Sequence, residues 1–218
     1  MANDSPATSA TSELDTFLAS IPVGFRKQRF HDLAQGLLAA ERPIVILETG
    51  CIRPHVNPLD PPENDGCSTL VWDWIARTTR GTCITVDIDP ANADYARSKV
   101  SPCTKVYCAD SLAFLISMRL SQPIDLLYLD SMDWTGTAEQ KNLSALHHAA
   151  ELSAAWRWLN HGAIIAVDDC HDAYTGKHAL VRRFFDSLGV PPLADDYIHV
   201  WQKPMSTPVQ FALSVPSK

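Results

Sequence analysis

No apolar run in this 218-residue chain approaches the roughly 18 residues a helix needs to cross a bilayer. Basic residues are also outnumbered: 18 Lys and Arg face 25 Asp and Glu, a formal charge of −7. Binding a nucleic-acid backbone needs clustered Lys and Arg. The basic pair in a helix-like stretch, Arg182-Arg183, reads more simply as a solvated face. Neither nucleic acid nor membrane is therefore an expected partner. The six cysteines (Cys51, Cys67, Cys83, Cys103, Cys108 and Cys170) form no C-x-x-C pair and mostly fall in or beside strand-like runs. That pattern fits buried reduced thiols better than a disulfide framework. The opening MANDSPATSATSELD has neither a positive start nor an apolar core, so it does not read as a secretory signal. Residues 1–15 are expected to form a disordered lead-in, residues 16–218 a single domain, and a cytoplasmic location follows by default. No internal repeat or dividing linker occurs, and G-x-G-x-x-G does not follow the first strand, which counts against a nicotinamide dehydrogenase.

With 46% hydrophobic residues the chain can bury a full core, and its strand and helix signals alternate. Phe25–Ala40 has helical spacing, and Ile44–Leu47 is a short apolar run, as a strand buried on both faces requires. Helical patterns are expected over Gly66–Arg77, Ala91–Lys99, Ser111–Arg119, Thr137–Leu159 and Gly176–Leu188. Strands are expected at Thr82–Val86, Lys105–Cys108, Ile124–Leu129, Ala163–Val167, Tyr197–Gln202 and Val209–Ser214. Pro90 suits a first helical turn, and Asn160-His161-Gly162 reads as a helix stop. The alternation predicts a mostly parallel α/β sheet with helices on both faces. The last two strands, with no helix between them, predict an antiparallel edge. Residues 53–64, RPHVNPLDPPEN, are a Pro-rich insertion beside the first strand, read as a lid or specificity loop in preference to a plain surface excursion.

Acids stand after strand upon strand: Glu48, Asp87, Asp110, Asp130 and Asp168-Asp169. A single Asp there is a common helix cap, but helix capping does not account for the whole series. Ligands in open α/β sheets bind beyond the carboxyl ends of the strands. Glu48 with Gly50 and Gly66 would line a cavity for an amino-acid-like group, with Ser68 opening the following helix, whose N-terminus suits a nucleotide-like ligand. Asp87 would accept two ribose hydroxyls, and Asp110 with Ser111 would meet a purine base. Asp130, Asp168 and Asp169, from two neighbouring strands, would converge on a hard cation such as magnesium. On the bland reading Asp87 only caps a helix, Asp168 binds cofactor or caps the next helix, and Asp169 is exposed. His148 and Glu151 have metal-ligand spacing on a helix, but a buried polar contact to the floor of the site accounts for them better. Trp134 is either packing or an acceptor-pocket wall, and Cys170 a small packing residue.

The ordered motifs LETG, DGCST, VDIDP, CADS, LLYLDSMD and IIAVDDC resemble class I S-adenosylmethionine-dependent methyltransferases. The nearest resemblance is to metal-dependent O-methyltransferases of the macrocin-type sugar and catechol-type branches, over roughly residues 44–185. It implies a Rossmann-like fold with a seven-stranded sheet. It also implies that Glu48 and Gly50 hold the methionine part of S-adenosylmethionine, Asp87 the ribose, and Asp110 and Ser111 the adenine. Mg2+ would sit on Asp130, Asp168 and Asp169. The catechol-type branch has a lysine base where this chain has Asp133, so the base is expected to be Asp130, Asp133 or His171. The expected reaction is O-methylation of a small-molecule hydroxyl, with the oligomeric state left open. Two alternatives are a non-catalytic cofactor-binding module and a metal-dependent oxidative enzyme on the same scaffold.

Overall fold

The computed structural model describes residues 6–54, 67–133, 136–170 and 175–205. Gly66, His171, Trp134, the run at 209–214 and most of the 53–64 insertion lie outside those residues. Helix α1 (Pro6–Ser20) precedes a single 3-10 turn, Gly24–Arg26, and α2 (Lys27–Leu38). Then follow β1 (Val45–Thr49), α3 (Ser68–Thr79), β2 (Thr82–Asp87), α4 (Pro90–Lys99), β3 (Thr104–Cys108), α5 (Ser111–Ser117) and β4 (Ile124–Leu129). The rest comprises α6 (Ala138–Ala155), β5 (Leu159–Val167), α7 (Ala179–Ser187), β6 (Ala194–Asp195) and β7 (His199–Gln202).

The strands form one sheet in the order β3-β2-β1-β4-β5-β7-β6. The first five are parallel, and β7 runs antiparallel to β5 and β6. This is the expected Rossmann-like seven-stranded sheet with an antiparallel edge. The described edge strand is β6, which precedes β7 in the chain, whereas the expected edge at Val209–Ser214 lies outside the described residues. Order reverses between β1 and β4, and a doubly wound sheet opens its ligand crevice at such a switch point.

Two apolar layers cover the sheet, and β1 shows why. Alternate side chains of a strand face opposite sides. Ile44 and Ile46 join Phe30, Trp72, Ile75 and Tyr128 on one face, while Val45 and Leu47 join Leu115, Leu152, Phe185 and Trp201 on the other. Such double burial requires the unbroken apolar run that the sequence shows. Helix α2 buries Phe30, Leu33, Ala34 and Leu37 at helical spacing. Asp89 caps α4 by accepting from the Ala91 N–H, with Pro90 at the first position.

Three expectations need correction. The disordered lead-in over 1–15 gives way to α1 from Pro6, because Leu14 and Leu18 are fully buried in the first layer and Phe17 stacks on Trp74 at 5.5 Å. The helix expected to end at Leu159 stops at Ala155, and a short 3-10 turn leads into β5. Asn160, His161 and Gly162 are therefore strand residues. The β4–β5 register jumps there, from Ile124 opposite Leu159 to Leu126 opposite Ile164, and Gly162 takes up the irregularity at φ +78°. The helix expected from Gly176 starts instead at Ala179, which leaves Lys177 in the preceding turn.

A buried clamp fixes α3 on β1. The Glu48 carboxylate accepts from Ser68 Oγ and from Thr69 Oγ1, both at 2.7 Å, and Thr69 Oγ1 in turn accepts the Ile52 N–H at 2.8 Å. Burial pushes Glu48 up to about 7, against the opposing pull of its hydroxyl donors.

Two measurements check this fold. Leu18→Ala is expected to lower the unfolding free energy by about 2–5 kcal/mol in urea titrations, whereas an undocked α1 would leave it unchanged. For Glu48 the folded pKa lies above the unfolded one, so its contribution is fully present below pH about 4.5 and is lost as pH rises through about 7. The stability of wild type relative to Glu48→Gln should therefore fall by about 3 kcal/mol across that window. A flat difference would mean that Glu48 is not held in a dry site.

Candidate functional site

The crevice at the switch point lies where β1 ends in Gly50 and β4 in Asp130. The Asp130 N–H donates to the Thr49 carbonyl at 2.9 Å, and the Gly50 N–H to the Val86 carbonyl at 2.8 Å. Gly50 has φ +82°, and a Cβ on it would lie 2.5 Å from the Asp130 carbonyl oxygen. Glycine is therefore required there on both backbone and steric grounds.

Two cavities open from this point. One, of about 300 Å³, is lined by Gly50, Asp87, Asp110, Ser111, Met132 and His147 among others. Its neighbour, of about 340 Å³, shares Gly50, Asp87 and Met132 and runs on to Asp130, Asp133 and Asp169. Asp87 sits between the two. Its carboxylate accepts the Asp89 N–H at 2.8 Å and the Cys51 N–H at 3.2 Å, which holds it at the lip of the cleft. Asp110 both caps α5, accepting the Ala113 N–H at 2.8 Å, and lines the first cavity, so its two readings coexist. Ser111 Oγ lies 3.0 Å from His147 Nε2. Glu48 and Ser68 line neither cavity; they support the wall from behind through the α3 clamp.

Helix α6 braces the floor. The Glu151 carboxylate is fully buried and accepts from Thr49 Oγ1 at 3.1 Å and Ser131 Oγ at 2.7 Å, with His147 Nε2 at 3.2 Å. That hydrogen bond to Glu151 raises the pKa of His147 above its ordinary value. Burial lowers the pKa of His148 to about 4, so it is neutral near pH 7. These residues make the buried polar contact between helix and floor, and His148 Nδ1 meets the Ser144 carbonyl at 2.7 Å.

At the far end of the second cavity the structure departs from the expected triad. The acids that converge are Asp130, Asp133 and Asp169, with oxygens within 4.8 Å of one another. Asp168 is not among them. Its oxygens accept from Arg26 Nε at 3.2 and 3.1 Å and from Tyr128 OH at 2.6 Å, all in a buried pocket beneath. The cause is local: Asp169 adopts a left-handed φ of +56°, and this turn sends two adjacent carboxylates to opposite sides.

Lys177 stands at the centre of the three acids. Its Nζ donates to Asp130 at 2.5 Å, Asp169 at 2.7 Å and Asp133 at 2.9 Å. Burial alone would discharge this amine, but the three carboxylates outweigh burial and hold it firmly cationic. In return Lys177 overcomes the burial of Asp133 and Asp169 and keeps both below the usual carboxylate range. Burial wins at Asp130, whose pKa is pushed well up. Tyr197 OH donates to Asp169 Oδ1, which also accepts from Arg26 Nη2 at 3.0 Å.

Sequence reasoning missed Lys177, Arg26 and Tyr197. Each sits outside the strand-end motifs, and no spacing signal links position 177 to position 130. Among the expected residues the structure brings Gly50, Asp87, Asp110, Ser111, Asp130, Asp133 and Asp169 to the two cavities, while Gly66 and His171 lie outside the described residues. Cys170 is a buried packing residue whose thiol donates to the Val167 carbonyl at 3.2 Å.

Residues 64–170 match the family model of a methyltransferase domain. No curated protein matches the sequence. Among solved structures the chain is similar to cofactor-bound Rv0187 from MTB, with a TM-score of 0.59 at 17% identity over 95% of this chain and 93% of that one. It is also similar to an O-methyltransferase from Bacillus cereus in complex with SAH, at TM-score 0.51 and 16% identity, covering 89% and 91%. A third is the MycE methyltransferase of the mycinamycin biosynthetic pathway, with Mg and SAH, at TM-score 0.60 and 14% identity, covering 95% of this chain and 57% of that one. At such identities the likeness is one of fold. The strand order is that of the Rossmann-like methyltransferase fold, and residues 64–170 of the chain carry the match to a methyltransferase domain.

Proposed function

We propose that the chain transfers the methyl group of S-adenosylmethionine to a hydroxyl oxygen of a small molecule. One observation carries this reading: the cavity lined by Asp87, Asp110 and Ser111 shares Gly50, Asp87 and Met132 with the cavity that ends on Asp130, Asp133 and Asp169. The first cavity suits a nucleoside, with Asp87 for the ribose hydroxyls and the Asp110–Ser111 turn with His147 for the base. Gly50 leaves room for the methionine part beside the backbone of β4. The sulfonium would then face the acidic end, where an acceptor is held.

Cofactor chemistry supplies an activated methyl group, so the protein mainly aligns three atoms, acceptor oxygen, methyl carbon and sulfur. The C–O bond forms as the C–S bond breaks, sulfur takes the bonding pair, and the hydroxyl proton passes to a carboxylate. Asp130 suits that last role. Its pKa is pushed up by burial, it lines the acceptor cavity, and its Oδ1 is fixed by Lys177, so the other oxygen is directed by a rigid anchor. A carboxylate with a raised pKa is the stronger base. Catalysis by a metal ion does not fit this residue set, because one oxygen of each of Asp130, Asp133 and Asp169, the acids that would hold Mg2+ at about 2.0–2.1 Å, is already bonded to an ammonium.

Isothermal calorimetry is the first test. Wild type should bind S-adenosylmethionine, and Asp87→Ala should weaken binding about tenfold or more, on the order of 1.4 kcal/mol. No binding by wild type would overturn the cofactor assignment. With an acceptor found by screening alcohols, phenols and sugars for methylated product, Asp130→Asn is expected to lower kcat about 10²–10⁴-fold while cofactor affinity stays within about threefold. Undiminished turnover in that variant would remove Asp130 from the mechanism.

A further inference from the structure

We propose that the Lys177 ammonium is a built-in replacement for a divalent cation, so that the acceptor end of this site works without metal. The inference rests on reading the Asp130–Asp133–Asp169 cluster as the acceptor end, and it deepens that reading.

The stoichiometry is the first support. An ammonium has three N–H donors and no acceptor, and each donor of Lys177 meets a different carboxylate, at 2.5, 2.7 and 2.9 Å. The lysine side chain is 0% exposed, although its partners Asp130, Asp169 and Asp133 are 24%, 21% and 56% exposed. The cation thus enters from the protein side and closes the cage from beneath, while the acids keep their contact with the cavity.

The opposite oxygens are the second support. Asp169 Oδ1 is committed to Arg26 Nη2 at 3.0 Å and to Tyr197 OH. Asp133 Oδ2 is paired with Arg53 Nη1 at 3.2 Å. Asp168, the neighbouring acid, gives both oxygens to Arg26 and one of them also to Tyr128. Of the three cage acids, only Asp130 retains an oxygen with no cationic partner among the described contacts. One carboxylate oxygen does not make a site for an ion that demands near-octahedral oxygen coordination. A second cation inside the same cage would also face the charge of Lys177 at van der Waals distance, in surroundings that screen it poorly.

Charge supplies the third support. Asp130, Asp133, Asp168 and Asp169 carry four formal negative charges, against three positive ones on Lys177, Arg26 and Arg53. The fixed cations therefore balance all but one of these formal charges without a metal ion.

The test uses Mn2+ as probe and reads the free-ion electron paramagnetic resonance signal, which reports metal binding whether or not any methyl is transferred. Failure of the methyltransferase reading and failure of this one are therefore separable. The wild-type chain is expected to leave the Mn2+ signal unchanged at sub-millimolar ion. Lys177→Ala, confirmed as folded by its circular dichroism melt, should take up one Mn2+ per chain at least tenfold more tightly than wild type. Adding Asp130→Asn to that variant should abolish the uptake. Stoichiometric Mn2+ binding by wild type that Asp130→Asn removes would overturn the proposal. A folded Lys177→Ala chain that binds no better than wild type would overturn it equally. Should Lys177→Ala not fold, Lys177→Gln is read in its place by the same criteria.

Discussion

Carboxylates crowded at the carboxyl ends of β4 and β5 repel one another, and the cations that hold them together come from far along the chain. Arg26 arrives from the turn before α2 and bonds Asp168 and Asp169. Lys177 arrives from the turn before α7 and bonds Asp130, Asp133 and Asp169. Taking a charge out of water is costly unless it is paired and hydrogen-bonded, and neither cation is exposed enough to be hydrated. Arg26 also lies 4.7 Å above the Tyr197 ring and 5.0 Å from that of Phe25, contacts that suit a weakly hydrated guanidinium. The turns before α2 and α7 are thus tied to the sheet by charge, in addition to the apolar layers.

The two halves of the site are assembled differently. The cavity proposed for the nucleoside is built from strand ends and the turns that immediately follow them: Gly50, Asp87, Asp110 and Ser111. Each of these is placed by its own strand, and a parallel sheet aligns the ends without further help. The acidic end depends on partners more than forty residues apart, such as Lys177 with Asp130 and Asp133. It is also where the chain departs from the pattern of the metal-dependent branch it resembles. Where that resemblance calls for a lysine, the chain carries Asp133, and an ammonium reaches the same spot from another element.

That difference explains what could be read in the sequence. The parallel sheet was legible because the doubly buried strands are unbroken apolar runs, and Ile124–Leu129 agrees with the observed β4 residue for residue. Asp87 and Asp110 were legible because a strand end fixes their place. Lys177 was not, since a lone lysine in a turn has no periodicity and its meaning comes only from the acids it meets. The roles of Asp168 and Asp169 were inseparable in sequence, because one left-handed residue decides which of two neighbours faces the cavity. Glu48 and Ser68 resembled cavity lining, but the hydrogen bonds that Ser68 and Thr69 donate to the Glu48 carboxylate turn them into a brace. Strand β5 was shortened in the reading because Gly162 resembles a helix stop and is in fact a kink within the strand.

The contact between Gly50 and the Asp130 carbonyl has a mechanical consequence. A Cβ there would come within 2.5 Å of that oxygen, so the turn after β1 rests directly on the backbone that carries Asp130. Densely packed interiors transmit displacement with little give. Any shift of the β4 end must then move the turn with it, and the spacing of the two strand ends is set by a backbone contact that no side-chain rotation can relax. On the proposed methyl transfer, which needs three atoms in line, that contact would act as a gauge: it would fix how far apart the two substrates are held before either one arrives.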